Sequence, residues 1–366
     1  MMRLRDIALR GPVLSIAAPV LISVILLVGC STPPEPVSPP VESPETFSES
    51  GTKKVPDRWW TVFNDERLNS LVQKAIHSNF NLRTAWNRLK EARAVVDRES
   101  SFLYPHLDGI ADAEISRRNS EVDEQLRLGL TSDYEVDLWG RIDSTIEAER
   151  FRAQATLSDY RTAALSLSAE VVRTWYQLME QHSQLQLINQ QIETNQQVLS
   201  LLRERFGTGL IRRADILRQQ QLLESTREEK LSIQSRIQVL RHQLAVLLGR
   251  PPQEQIRYAE KSLPDLPPLP ETGIPVELVR RRPDTKTALN QLKAADRDMA
   301  AAIADQYPRL RLTASVTSVE SDASNLFQDW AESFAGNLTA PLIDAGQREA
   351  EVDRTRAVKM QRLYEY

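Results

Sequence analysis

The chain predicts a mainly α protein with membrane β-strands. Long coiled-coil α-hairpins continue into a 12-stranded β-barrel that three chains share, four strands from each, and every chain holds two structural repeats. Three observations carry this expectation. A block of sequence recurs at a fixed offset, two long stretches contain neither glycine nor proline, and four short segments alternate apolar with polar residues.

The repeat comes first. Tyr104-Pro105-His106-Leu107 returns 203 residues later as Tyr307-Pro308-Arg309-Leu310. At the same offset Thr84, Ala85, Asn87, Leu89, Lys90 and Ala92 return as Thr287, Ala288, Asn290, Leu292, Lys293 and Ala295. A repeat this long is no solenoid unit, so it marks a duplicated half-protein: a helix, a Tyr-Pro break and two strands per copy.

From Arg141 to Phe206, 66 consecutive residues lack both glycine and proline. At 1.5 Å per residue an unbroken helix of that length runs ~99 Å, against ~30 Å for a small domain, so it must project. Gly207-Thr208-Gly209 interrupts it, and Leu210 to Leu248 adds 39 residues free of both breakers. The pair reads as an αα-hairpin. Leu185, Ile188, Ile192, Leu199, Leu202 and Phe206 keep a 3-4 spacing, with Asn195 the one polar seam position; Ile233, Ile237, Leu240, Leu244 and Leu247 do the same on the return arm. Narrow apolar stripes of this kind pack as coiled coils.

The strands follow from period two. Leu126, Leu128, Leu130, Ser132, Tyr134, Val136 and Leu138 alternate with Gln125, Arg127, Gly129, Thr131, Asp133, Glu135 and Asp137. A weaker version spans 107–116, and Leu310, Leu312, Ala314 and Val316 open the second copy, which Phe334, Leu338, Ala340 and Leu342 complete. Strands of about ten residues suit a tilted membrane span. The same alternation fits a half-buried sheet of a soluble domain, so the N-terminus has to decide.

Arg3, Arg5 and Arg10 precede an apolar stretch from Val13 to Val28 that runs into Gly29-Cys30. This is a secretory signal over 1–29; sixteen residues interrupted by Pro19 fall short of the ~20 a transmembrane helix needs. Cys30 is the only cysteine, which excludes a disulfide within the chain. Residues 30–56, with seven prolines after the cysteine, form an extended tether. Loss of Arg3, Arg5, Arg10 and Asp6 moves the formal charge from −4 to −6. Nucleic-acid binding needs a basic excess, and none is present.

Four strands cannot close a barrel, and an open edge in lipid leaves backbone groups unpaired at several kcal/mol each. Three chains supply twelve strands, an even number within the bacterial range. The polar faces then line a pore that the helices extend into the periplasm.

Taken together, these residues resemble the TolC-like outer-membrane efflux factors, in particular the lipid-modified NodT or OprM type. The likeness rests on Trp59-Trp60 with Phe63, Asp65 and Leu68; on Asn81-Leu82 through Ala85 and Arg88; on Tyr104-Pro105; on Tyr134 to Arg141; and on Arg205-Phe206 with Gly209, Asp215 and Leu217. Cys30 sits where a lipobox cysteine would be lipidated, and Ser31 beside it is not the aspartate of inner-membrane retention, so the outer membrane is the expected address. The resemblance implies a homotrimeric, passive export duct docked through a periplasmic adaptor to an inner-membrane pump. It also implies that Arg205, Phe206, Gly207, Thr208, Gly209, Leu210 and Asp215 form the docking and aperture tip. Alternatively, Gly207 and Gly209 do no more than end and turn helices.

The second repeat reaches Pro341-Leu342-Ile343-Asp344-Ala345-Gly346-Gln347, similar to the junction that opens the first hairpin, and nineteen residues after Gln347 the sequence ends. The expected organisation is therefore a first repeat over 57–270 and an incomplete second over 271–366, lacking a counterpart of the hairpin.

No enzyme is expected. His77, His106, His182 and His242 are too scattered to assemble a metal site, and no nucleophile elbow, phosphate loop or dinucleotide fingerprint occurs. Beyond the covalent lipid on Cys30 no cofactor is expected. One alternative of a different class stands beside the duct: a periplasmic lipoprotein adaptor or tether whose hairpin bridges other proteins without a pore.

Overall fold

The computed structural model describes residues 56–118, 121–254, 263–264, 267–271, 273 and 275–366. The expected signal, Cys30 and nearly all of the tether lie outside them. The order is α1 (Glu66–Ser78), α2 (Phe80–Ser100), β1 (His106–Arg118), β2 (Glu121–Val136), α3 (Arg141–Gly207) and α4 (Arg213–Leu247). After these come α5 (Pro275–Arg281), α6 (Pro283–Ala304), β3 (Arg309–Glu320), β4 (Ala331–Thr339) and α7 (Gln347–Glu365).

The hairpin of α3 and α4 forms as the apolar stripes require. Ile188 and Leu199 are buried, while Leu185, Ile192, Asn195 and Leu202 are half-buried with exposed neighbours between them. On the return arm Ile233, Ile237, Leu240 and Leu244 are buried. The polar seam position is satisfied across the hairpin: Asn195 Nδ2 donates to Thr226 Oγ1 at 3.2 Å, and Gln219 Nε2 donates to Asn195 Oδ1 at 3.2 Å. Phe206, expected in the seam, is exposed instead, because the arms diverge into the turn one residue later.

Both ends of the hairpin stop in the same way. Gly209, at φ 77, donates to Phe206 O while Leu210 N donates to Arg205 O; Gly249, at φ 68, donates to Val246 O while Arg250 N donates to Ala245 O. These are two Schellman caps, in which a left-handed glycine lets the next amide turn back onto the helix. The second is also clamped from outside. Ser78 Oγ donates to Leu248 O at 2.8 Å and Asn79 Nδ2 to Leu247 O at 3.0 Å, while Asn79 Oδ1 accepts from Leu82 N as the cap of α2.

The core lies beside this junction. Trp60 from the turn Trp59–Phe63 and Leu68, Val72 and Ala75 on α1 pack against Leu167, Val171, Trp175 and Leu178 on α3 and Ile237, Leu240 and Leu244 on α4. The spacing of Leu68, Val72 and Ala75 places all three on one helix face. Burial of a leucine or valine at such a position stabilises by ~1.5–3 kcal/mol.

The four strands form one antiparallel sheet in the order β1-β2-β3-β4. Each expected segment is a strand, with shifted ends. β1 and β2 run to 13 and 16 residues, longer than the ten or so expected. β2 stops at Val136, so Leu138 lies beyond it. β4 stops at Thr339, leaving Ala340 and Leu342 outside, since Pro341 has no N–H to continue a ladder.

The duplication is visible in the pairing. Leu107 opposes Ser132 in the first β-hairpin and Leu310 opposes Leu338 in the second. β1 therefore maps onto β3 at an offset of 203, and β2 maps onto β4 at an offset of 206. The junction glycines Gly140 and Gly346, left-handed at φ 71 and φ 83, keep the second offset.

Candidate functional site

Strand register sorts the sheet into two chemically distinct faces. Leu130 opposes Gly109 on β1 and Val316 on β3, and Leu312 opposes Tyr134 on β2 and Gly336 on β4. The alternating apolar members of the strands therefore share one side, with Ile110 and Val319 the exceptions on the other. No helix covers it: Leu107, Ile115, Phe334 and Leu338 are 68%, 74%, 76% and 67% exposed. A contiguous apolar face of this extent marks a membrane or partner surface.

The opposite face carries Asp108, Asp112, Glu114, Arg127, Asp133 and Arg311 with serines and threonines between them. Its polar groups bond across strands, as in Thr313 Oγ1 to Asp133 Oδ1 at 3.0 Å and Ser315 Oγ to Ser333 Oγ at 2.8 Å. An antiparallel sheet with one apolar and one polar, hydrogen-bonding face can separate lipid from water. Among the described residues β1 and β4 have no partner on their outer edges.

The passage from sheet to helix is built by Tyr134 to Arg141. Glu135 Oε1 accepts from Arg141 Nη2 at 2.7 Å, and Asp137 accepts from the first free amides of α3, Ile142 N at 3.1 Å and Asp143 N at 2.8 Å. A carboxylate there satisfies orphan donors and opposes the positive end of the helix dipole. Trp139 stacks on Tyr307 at 4.9 Å and donates from Nε1 to Pro308 O at 2.7 Å. The second Tyr-Pro break thus seats on the first junction. In the second junction Asp344 does the work of Asp137, accepting from Gly346 N and Arg348 N. Its hydrogen bond from Arg348 holds the carboxyl below the usual carboxylate range.

At the far end of the hairpin the expected tip residues come together. Arg205, Phe206, Gly207, Thr208, Gly209 and Leu210 are all exposed and Asp215 is half-buried. Local duties account for three of them: Thr208 Oγ1 bonds Arg205 O at 2.8 Å, Gly209 is the cap, and Asp215 Oδ2 accepts from Arg212 N at 3.1 Å to start α4. The side chains of Phe206 and Leu210, whose backbones complete the cap, present apolar surface at 44% and 75% exposure. Sequence reasoning did not single out the Trp139–Tyr307 seat, the Ser78–Asn79 clamp or Gly129. Their partners Tyr307, Leu248 and Thr317 lie far along the chain from Trp139, Ser78 and Gly129, and no local period signals such a contact.

The outer membrane efflux protein family profile matches residues 71–250 and 274–366, about three-quarters of the chain. The chain belongs to the outer membrane efflux protein family. It is 29% identical over 367 residues to the pyoverdine export outer membrane protein OpmQ of Pseudomonas aeruginosa, covering 94% of this chain and 77% of that one. It is 27% identical to the cation efflux system protein CusC of Escherichia coli, covering 93% and 78%. Among solved structures, the outer-membrane channel OprN superposes with a TM-score of 0.83 at 27% identity, covering 90% of this chain and 78% of that one.

As a family member the chain is an outer-membrane efflux channel and not an enzyme. The adaptor or tether alternative falls with this finding, since the matched structure is a channel and a tether has no use for an uncovered apolar sheet face. Among the described residues no helix is long and apolar enough to cross a membrane.

Proposed function

We propose that three copies of the chain close a 12-stranded barrel in the outer membrane and act as the passive exit duct of a tripartite system. The inner-membrane pump supplies the energy, and a periplasmic adaptor joins pump to duct. The observation that carries this is the four-stranded sheet with one uncovered apolar face and two open edges, β1 and β4. In lipid those edges cost several kcal/mol per unpaired backbone group, and sister copies are the nearest supply of matching strands.

Cys30, lipidated, anchors the N-terminus to the inner leaflet of the outer membrane. The tip from Arg205 to Leu210, with Asp215 holding its shape, is the docking end, and Phe206 with Leu210 are its apolar contacts. The cargo is of small-molecule size. OpmQ is named for pyoverdine and CusC for cations, so kinship alone does not select between such cargoes.

Purified protein in detergent should have the mass of a trimer and should conduct ions across a planar lipid bilayer. A non-conducting monomer would sink the reading. Replacing Phe206 and Leu210 together by Asp should leave the trimer intact in detergent and abolish cross-linking to the adaptor. Cys30→Ser should remove the lipid, seen by mass, and still leave the protein in the outer membrane.

A further inference from the structure

The internal seam between the two repeats is a template for the seam between copies. We propose that Tyr104-Pro105 of one copy seats in the groove over Pro341 to Gly346 of the next, and that β4 pairs with the neighbouring copy's β1 in one definite register. That register sets Phe334 opposite Ile115, Gly336 opposite Ala113 and Leu338 opposite Ala111. The proposal rests on the trimeric duct reading and adds to it the residues that make the joint.

The register follows from the repeat. Within the chain, Leu128 opposes Ser318, Leu130 opposes Val316 and Ser132 opposes Ala314. Moving β2 forward by 206 and β3 back by 203, the offsets set by the two β-hairpins, converts these pairs into the three above. All six residues lie on the apolar side of the sheet, whereas a slip of one residue would turn every side chain of one strand to the other face.

The seat has the same origin. Tyr307-Pro308 rests on Trp139, and the counterpart of Trp139 at the second junction is Ala345. The small side chain leaves an open cavity of about 460 Å³ lined by Leu342, Ile343, Asp344 and Arg348 among others, within the size range that holds a drug-sized group. Leu342 and Ile343 are 89% and 95% exposed, and Tyr104, the residue with no seat in its own chain, is 70% exposed.

The helices continue the seam. Thr287 Oγ1 donates to Asp159 Oδ1 at 2.8 Å between α6 and α3; the same offsets place Thr84 against Glu365, preserving donor and acceptor. The Arg152–Asp298 ion pair of the internal seam maps onto Val358 and Val95. An apolar pair thus replaces a charged one, and the two seams are not interchangeable, because a charge set against a valine would lose its partner.

Oxidation of the double variant Phe334→Cys/Ile115→Cys in outer-membrane preparations of the full chain should give disulfide-linked dimers and trimers. The two single variants control for Cys30. Phe334→Cys with Ala113→Cys or with Arg117→Cys should link at least about ten-fold less, since the diagonal neighbours of a ladder sit beyond disulfide reach. Trimers that link preferentially through 113 or 117 overturn the register while leaving the duct reading intact; a chain that is monomeric before oxidation overturns both. Tyr104→Ala should raise the concentration at which trimers half-dissociate by at least about ten-fold, the loss of one large buried side chain per seam. An unchanged value overturns the seat.

Discussion

Trp175 Nε1 donates a 2.9 Å hydrogen bond to Asp65 Oδ2 across 110 positions of sequence. The same carboxylate, through Oδ1, accepts from Arg67 N and Leu68 N and so starts α1. One buried side chain therefore both begins the N-terminal helix and bolts it to the long helix that carries the hairpin. Asp65→Ala should lower stability by roughly 2–4 kcal/mol, the sum of a lost cap and a lost buried charge-assisted bond. Asp65→Asn, which keeps an oxygen for the cap, should recover about half of it. Thermal unfolding in detergent, followed by circular dichroism, measures both.

The two cap glycines separate backbone conformation from crowding. A Cβ on Gly209 would meet nothing within 4 Å, whereas one on Gly249 would lie 2.3 Å from Ser78 O. Gly209→Ala should cost about 1–2 kcal/mol, the left-handed penalty alone. Gly249→Ala should cost more than that, because the penalty is joined by a clash that breaks the Ser78–Asn79 clamp. Equal losses in chemical unfolding of the two variants would refute the assignment.

Tyr176 sets an alkaline limit. Its hydroxyl is buried without a hydrogen-bond partner, and burial, with the Asp65 charge nearby, pushes its pKa up from 10.0 to about 12. The folded state binds this proton more tightly than the unfolded state does. The contribution is thus fully present below pH 10 and is lost as pH rises from there towards 12. Tyr176→Phe should flatten the unfolding midpoint over that window and leave it unchanged or slightly higher at pH 7.

Gly129 is the close-approach point of the sheet. A Cβ there would stand 2.4 Å from Val316 O and 2.8 Å from Thr317 Cα. Gly129→Val should part β2 from β3, the seam between the repeats, and abolish heat-modifiable mobility in gel electrophoresis together with conductance. Gly109→Val is the control, since Gly109 has only Leu130 Cδ2 at 4.0 Å and a branched residue there suits a strand.

Much of this architecture was legible in the chain because it is periodic. The seam of α3 from Leu185 to Leu202 emerged with the expected burial, and the even positions of β2 reached the apolar face as expected. The tip was legible because helix breakers stand where the helices end. Errors clustered at ends: Phe206 left the seam, and Leu138 and Leu342 left their strands. At such places the backbone direction is decided by a turn or a proline and no longer by the repeat of side chains.

The sequence by itself determined the elements, their faces and their duplication, since a period of two or of 3.6 residues is a local property that each segment carries alone. Only the tertiary structure decided that Trp139 receives Tyr307, that Asn79 holds the end of α4 and that β2 and β4 share an offset of 206. Those are contacts between residues far apart in the chain, and which of many chemically suitable partners meets which is settled by packing every element at once.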